Sequence, residues 1–353
     1  MIKVLIVEDS RVVSEYLNFI FINDPLIDVV GNVSNGKMAV EFIKNNKVDV
    51  ITMDIDMPIM DGLEATRIIM STTPIPILIV TSSRNANDIH TSIEALAAGA
   101  LAVIEKPAGI GHPKEEELAK KLTNMVKVMA EVNVITRKPK IKEAPAPPPV
   151  SVRQKVLIED LILPDVIAVG VSSGGPQALQ IVFSKITSRF PAPIVVVQHI
   201  TDGFLDSLVN WIGNTINCHV HIAKNDEFML PGHIYFAPNG FQMGVQKSLR
   251  AKLTESDGKH SFIPSAAYLF SNIAQTFGKK AIGIILTGMG SDGSKELKLM
   301  LDKGAVTIAQ SKESALIHGM PGVAIQHGSA KYVLNAEEIG QLLADIEKNY
   351  RKS

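Results

Sequence analysis

The feature that most limits the fold is a proline run near the middle of the chain. Segment Lys138 to Val150 reads KPKIKEAPAPPPV and holds five prolines, at positions 139, 145, 147, 148 and 149. Each proline lacks an amide donor and fixes φ, so the stretch favours extended polyproline geometry and cannot enter a packed sheet. No single hydrophobic core can run through it. The 353 residues are therefore read as two domains joined by a semi-rigid tether. No internal repeat is found.

Both flanks carry the same pattern. Before the tether, short β-branched runs at Lys3–Val7, Asp28–Val30, Val48–Met53, Ile75–Thr81 and Ala102–Glu105 read as strands. Between them, Arg11–Ile22, Lys37–Asn46, Gly62–Ser71 and Asn87–Ala98 read as helices, and Glu115 to Glu131 as a closing helix. Such a βα alternation predicts a parallel sheet covered on both faces. After the tether, Val166–Gly170, Ile194–Gln198, Ala281–Thr287 and Ala305–Ala309 are apolar runs, most of them followed by helical segments. His219–Lys224, His233–Ala237 and Phe241–Gln246 read as shorter strands, with a hairpin expected at one edge. The expectation is a second α/β domain.

Composition excludes several classes. Apolar residues make up 46% and charged residues 20%, enough for a core in each domain and too apolar for general disorder. A single cysteine, Cys218, rules out an internal disulfide framework or a cysteine-based zinc cluster. The longest apolar stretch, Ala95 to Ile104, falls far short of a membrane span. The first ten residues lack the apolar core and cleavage site of a signal peptide. A soluble cytoplasmic protein without membrane insertion is expected. Residues 1–107 are net −6, residues 108–164 net +3 and residues 165–353 net +2. None has the strongly basic balance of a nucleic-acid module, so a DNA-binding output is disfavoured.

In open parallel sheets, ligands bind beyond the carboxyl ends of the strands. In the first domain those ends carry Glu8 and Asp9, Asp54, Thr81, and Lys106 followed by Pro107. Clustered carboxylates repel unless a hard cation sits among them, and Mg²⁺ suits one or two carboxylates plus phosphate oxygens. A carboxylate beside it can act as nucleophile toward a phosphoryl group. Asp54, alone on the central strand, is the best candidate. Thr81 and Lys106 supply donors to the new phosphoryl oxygens. The competing reading is that each acid merely caps the following helix; the full set in register argues against it.

The segments VLIVEDS, ITMDIDMPIMDG, IVTSS and the Lys106–Pro107 pair resemble the response-regulator receiver domain. The resemblance implies a phospho-acceptor at Asp54, Mg²⁺ held by Glu8, Asp9 and Asp54, a switch pair Thr81 and Lys106, and a histidine kinase as phosphoryl donor. It also implies an aromatic switch residue three positions before the lysine, where this chain has Val103.

In the second domain, Gly170-Val171-Ser172-Ser173-Gly174-Gly175 follows a strand and precedes a helix. It fits G-x-S-x-G, in which a sharp turn exposes the serine. The helix N-terminus supplies amide donors for a developing oxyanion. A glycine-rich turn there could instead cradle a phosphate. However, the G-K-[ST] of a Walker loop and the spacing of a dinucleotide fingerprint are missing. His199 ends the next strand. Asp292 lies in the loop Gly288-Met289-Gly290-Ser291-Asp292-Gly293, where it either orients a histidine or caps the helix starting near Ser294. Ser172, His199 and Asp292 form a plausible nucleophile, base and orienting acid. Their chain order differs from the Ser…Asp…His of α/β-hydrolases. Backbone amides at Ser173 and Met289 are the oxyanion candidates. His219, His221, His233, His260, His318 and His327 are read as structural or surface residues.

GVSSGGPQAL, VVQHI, PGHIYFAPNG, ILTGMGSDG and HGMPGVA resemble the catalytic domain of the chemotaxis methylesterase (CheB) family. The resemblance implies two parallel-sheet α/β domains, a flavodoxin-like receiver (1–107) and a doubly wound hydrolase-type catalytic domain (161–353). A helix and proline-rich linker (108–160) would join them. It implies a phosphorylation-regulated hydrolase that demethylates glutamate methyl esters on chemoreceptors, extends to glutamine deamidation, and needs no metal for the ester step. It carries the triad onto Ser172, His199 and Asp292. The family's Pro-Ser-Val-Asp is here Pro264-Ser265-Ala266-Ala267, its Gln-Asp-Glu is Gln310-Ser311-Lys312-Glu313, and the residue after the nucleophile is Ser173 rather than threonine. Two rival readings remain at this point: a gated esterase or amidase for a non-receptor substrate, and a non-catalytic signalling module.

Overall fold

The computed structural model describes residues 1–81, 86–107, 115–132, 163–255, 258 and 262–350, without the side chains of 86–90. The proline-rich segment lies outside the described residues. The chain divides into two compact units, split between Arg137 and Lys138.

In the first unit, five strands alternate with helices: β1 (Ile2–Val7), α1 (Arg11–Ile22), β2 (Ile27–Val33), α2 (Gly36–Asn45), β3 (Val50–Met53), α3 (Gly62–Thr72), β4 (Ile77–Thr81), α4 (Ala86–Ala98), β5 (Ala102–Glu105) and α5 (Glu115–Ala130). The strands pair in parallel, in the order β2-β1-β3-β4-β5. This is the flavodoxin-like order. Every residue of β3 and β4 is buried, which explains their unbroken apolar runs. Helix starts are set locally: the Asn35 side chain accepts from Met38 N and that of Asp61 from Glu64 N. Helix α5 buries Leu122, Val126 and Met129. It is pinned by a Lys127–Asp24 ion pair of 2.5 Å and a Tyr16-to-Glu115 hydrogen bond of 3.1 Å.

The second unit contains β6 (Val166–Val171), α6 (Gly175–Phe183), β7 (Ile194–Gln198), α7 (Leu205–Thr215), β8 (His219–Ile222), β9 (His233–Phe236), β10 (Gln242–Val245) and β11 (Ala251–Thr254). It continues with α8 (Ala266–Thr276), β12 (Ala281–Ile285), α9 (Ser294–Asp302), β13 (Val306–Gln310), α10 (Met320–Gln326), β14 (Tyr332–Leu334) and α11 (Ala336–Tyr350). Seven strands form a parallel sheet in the order β14-β13-β12-β6-β7-β9-β8. The chain enters at β6 and builds outward on both sides, so the doubly wound switch point lies at the carboxyl end of β6. Strands β6, β7 and β12 are wholly buried.

The expected edge hairpin is corrected. Strands β8 and β9 pair in parallel at the sheet edge, and the hairpin is β10–β11, antiparallel and outside the main sheet. A connection as short as 223–232 ordinarily favours a hairpin. Here it runs antiparallel to residues 249–251 instead, with Asp226 N donating to Ala251 O and Met229 N to Leu249 O. Hairpin residues Met243, Val245 and Ala251 share one buried cluster with Leu269, Phe270 and Ile273 of α8.

Candidate functional site

The first unit gathers its acids as the topology requires. Adjacent strands β1 and β3 end side by side, with Asp54 N donating to Val7 O at 2.9 Å. Gly62 keeps the following loop tight, since a Cβ there would lie 2.0 Å from Asp54 O. Glu8 and Asp54 are 3% and 6% exposed, and Asp9 is exposed. Ligand oxygens of the three lie within 4.8 Å of one another. Lys106 Nζ stands 2.8 Å from Asp54 Oδ2 and 2.9 Å from Glu8 Oε2. That Glu8 oxygen is buried at ion-pair distance but without a hydrogen bond.

One ammonium does not satisfy this pocket. Burial, with the Asp54 charge behind it, raises the Glu8 pKa above the usual range. Burial also raises that of Asp54, against the opposing pull of Lys106. Burial disfavours the Lys106 charge, but hydrogen bonds to Asp54 and Glu8 outweigh it and hold the ammonium charged. Three hard-oxygen donors with unspent negative charge fit Mg²⁺. Thr81 is buried at the end of β4, where its carbonyl accepts from Lys106 N at 2.8 Å. Val103 is buried within β5.

In the second unit the switch point brings together two of the three singled-out side chains by a direct bond. His199 Nε2 lies 2.9 Å from Asp292 Oδ2. Asp292 does not cap α9, whose cap is Gly293 in the left-handed region at φ 78. Its carboxylate instead meets the first turn of α8. Ser265 Oγ donates to Oδ1 at 2.9 Å, Ala266 N to Oδ2 at 2.7 Å and Ala267 N to Oδ1 at 3.2 Å. Burial alone would raise the Asp292 pKa, but these donors and His199 bring it below the ordinary carboxylate value. Ala267 thus faces Asp292 through its amide.

An ionised carboxylate only accepts, so the proton of the bridge resides on His199 Nε2, and in the neutral ring Nδ1 is the nitrogen left to accept. Ser172 is 8% exposed and follows β6, the strand between β7 and β12. Among the described residues its Oγ has no hydrogen bond to His199, a separation common in unliganded enzymes. Gln198 Nε2 links the two strand ends, donating to Ser172 O at 2.9 Å and His199 O at 2.8 Å. Gly175 makes room for it, because a Cβ there would fall 2.0 Å from Gln198 Oε1. Ser173 and Met289 are both half-buried, and among the described residues neither backbone N–H donates a hydrogen bond.

Several contributors escaped the sequence reading. Phe262 stacks on His199 with centroids 4.5 Å apart and planes 15° apart. Gln242 donates to Phe262 O at 2.8 Å and accepts from Ser265 N at 2.8 Å. Ser265 invites a helix cap by its place before α8, and it does accept from Tyr268 N, but nothing local signals its bond to Asp292. His318 bridges through its backbone to Gly288 at the rim, and its Nε2 is buried without a hydrogen bond. His219, His221 and His233 cluster on β8 and β9, with His221 Nε2 2.8 Å from His233 Nδ1. His260 lies outside the described residues.

A flavodoxin-like domain with an acidic pocket, followed by a doubly wound α/β domain, defines a response regulator with an α/β output domain. Comparison with known proteins narrows this. Residues 4–119 match the response regulator receiver domain and residues 167–343 the CheB methylesterase domain. The chain belongs to the CheB methylesterase family. It is 45% identical over 347 residues to a protein-glutamate methylesterase/protein-glutamine glutaminase of Nitrosospira multiformis, covering 98% of this chain and 97% of the relative. A Syntrophus aciditrophicus protein of the same description is 42% identical, with 98% of each chain covered. The crystal structure of the Thermotoga maritima CheB methylesterase catalytic domain superposes with a TM-score of 0.50 at 34% identity, covering 52% of this chain and all of that one. Receiver domains as a class use Mg²⁺ for phosphorylation. Among the described residues no helix is long and apolar enough to cross a membrane.

Proposed function

We propose that the chain is a phosphorylation-regulated hydrolase of the cytoplasm that demethylates glutamate methyl esters on chemoreceptors and deamidates receptor glutamines, using Ser172, His199 and Asp292. The observation that carries the site is the 2.9 Å His199–Asp292 bond to a carboxylate with three further built-in donors, beside a serine on the neighbouring strand end.

The tautomer sets the roles. Nε2 is engaged by Asp292, so Nδ1 takes the proton as Ser172 Oγ attacks the side-chain carbonyl. The N–H groups of Ser173 and Met289 receive the developing oxyanion. His199 then returns its proton to the departing methanol, or to ammonia in deamidation. Water hydrolyses the acyl-enzyme with the same residues in reversed roles. Asp292 stays ionised and favours the imidazolium formed on the way. None of these steps calls for a metal.

In the receiver, Asp54 is the phospho-acceptor and a histidine kinase the donor. Glu8, Asp9 and Asp54 would hold Mg²⁺, which when bound supplies the charge that an incoming phosphoryl group requires. Lys106, now on Asp54 Oδ2, and Thr81 supply donors to the phosphoryl oxygens.

The test is methanol release from methylated chemoreceptor by the full chain, beside labelling by a serine-directed acylating probe. Release together with loss of label in Ser172→Ala supports the reading. A folded Ser172→Ala protein with near-normal turnover overturns the triad, and turnover of small esters with none on methylated receptor overturns the substrate.

A further inference from the structure

His199 is held on more sides than a nucleophile, base and acid require. One face of its ring is covered by Phe262, stacked at 4.5 Å and 15°. The Phe262 carbonyl accepts from Gln242 Nε2 at 2.8 Å, and Gln242 Oε1 accepts from Ser265 N at 2.8 Å. Ser265 Oγ donates to Asp292 Oδ1 at 2.9 Å, and Asp292 Oδ2 accepts from His199 Nε2 at 2.9 Å. The contacts close a ring that starts and ends at the imidazole.

The anchor of this ring is itself buried. Gln242 is 1% exposed on the hairpin strand β10, and Ser265 is 1% exposed at the start of α8. Phe262, in contrast, is 48% exposed. A large aromatic side chain left half in water contributes little to the core, and the ring contact it does make is the stack on His199. An imidazole with one hydrogen-bonded nitrogen can still swing about that bond. A parallel aromatic ring at stacking distance removes this freedom.

From this closed ring we infer that Phe262 is a positioning residue for His199, holding the imidazole plane so that Nδ1 faces Ser172 while Nε2 stays on Asp292. The inference builds on the triad proposed above. Gln242 acts one step further back, by fixing the backbone on which Phe262 and Ser265 stand.

The test compares Phe262→Ala, Phe262→Leu and Phe262→Tyr in the full chain. Methanol release from methylated receptor gives kcat and KM, and proton NMR follows the low-field Nε2–H signal of His199. Misplaced reacting groups cost up to about a hundredfold in rate. The Ala and Leu variants are therefore expected to lose about tenfold or more in kcat with KM little changed, and to show a weakened, faster-exchanging Nε2–H signal. Phe262→Tyr, which keeps the flat ring, restores both. A rise in KM at unchanged kcat would make Phe262 a substrate contact and overturn the inference, as would a Leu variant that matches wild type. Ser172→Ala run alongside separates the two levels. If it is inactive while Phe262→Ala is normal, only the positioning role fails. If it is active, the triad itself fails.

Discussion

Asp54 and Asp292 are both buried carboxylates at the carboxyl edge of a parallel sheet, yet their surroundings push them in opposite directions. Asp292 receives four hydrogen bonds, from His199, Ser265 Oγ and the amides of Ala266 and Ala267, and its pKa falls. Asp54 accepts a hydrogen bond from the Ile55 N–H and shares Lys106 with Glu8, and the pKa values of both acids rise. The first is electrostatically complete within the protein. The second retains negative charge that the protein does not compensate. A finished carboxylate suits steady orientation of a base, and an unfinished one suits transient capture of a cation and a phosphoryl group.

The largest expected effects test that division of labour. Ser172→Ala and Asp292→Asn should each lower ester hydrolysis by about 10⁴-fold, as loss of a triad member typically does. Steady-state methanol release measures this, with circular dichroism to confirm that the variants fold. An Asp292→Asn protein within tenfold of wild type would show that the completed carboxylate is only a structural cap for α8.

Next in size is the acceptor. Asp54→Asn should abolish uptake of phosphate from a small phosphoryl donor, and Asp56→Asn should not, because Asp56 is exposed while Asp54 is buried. Uptake should require Mg²⁺, read by intact-mass spectrometry with and without a chelator. Metal-independent uptake would mean the acidic pocket is not unfinished after all.

Mg²⁺ itself should sharpen the contrast. At 100 times its dissociation constant, a ligand that binds only the folded state stabilises by about 2.7 kcal/mol. The receiver transition should therefore move up on Mg²⁺ addition and the catalytic transition stay put. Glu8→Gln should blunt the shift. Equal shifts of both transitions in calorimetry would remove the distinction.

The smallest effect is on pH. For Asp292, whose folded pKa lies below its ordinary 3.8, the unfolded chain binds protons first. Its stabilisation is full above that value and is lost as pH falls through the lower folded value. For Asp54 and Glu8 the folded pKa values lie above 3.8 and 4.5. The folded receiver then binds protons first, so acidification through that window adds stability. Urea unfolding of Asp292→Asn and Asp54→Asn against wild type between about pH 3 and 7 should give difference curves of opposite slope. Curves of the same sign would contradict the comparison.

Much of both sites could be read from the chain because parallel strands advertise their ends. Glu8, Asp54 and Lys106 each follow a β-branched run, as do Ser172 and His199, and the doubly wound topology sends all such ends to one edge. Asp292 was placed by its glycine-rich loop, but its partner was not: the residue seven positions beyond β12 bonds the first turn of α8, an element 26 residues earlier. Phe262 and Gln242 were invisible for a related reason. They come from a loop and a hairpin outside the main sheet, and only tertiary packing makes them neighbours of His199. The hairpin expected at a sheet edge among the three short strands lies outside the main sheet, and β8 and β9 pair in parallel although a connection that short ordinarily reverses the chain. Strands β11, Ala-Lys-Leu-Thr, and β14, Tyr-Val-Leu, each hold a single β-branched residue and so present no β-branched run.

The Gln198 bridge has a consequence for how this protein can vary over generations. Its side chain ties the carbonyls of Ser172 and His199, and it lies where any Cβ at position 175 would intrude. A side chain at 175 would push the Gln198 amide aside; that amide ends a flexible side chain and can turn, but only by giving up its bonds to the two strand-end carbonyls. A shorter residue at 198 would release the same carbonyls. Changes at the two positions therefore act on one feature, and their effects are expected not to add.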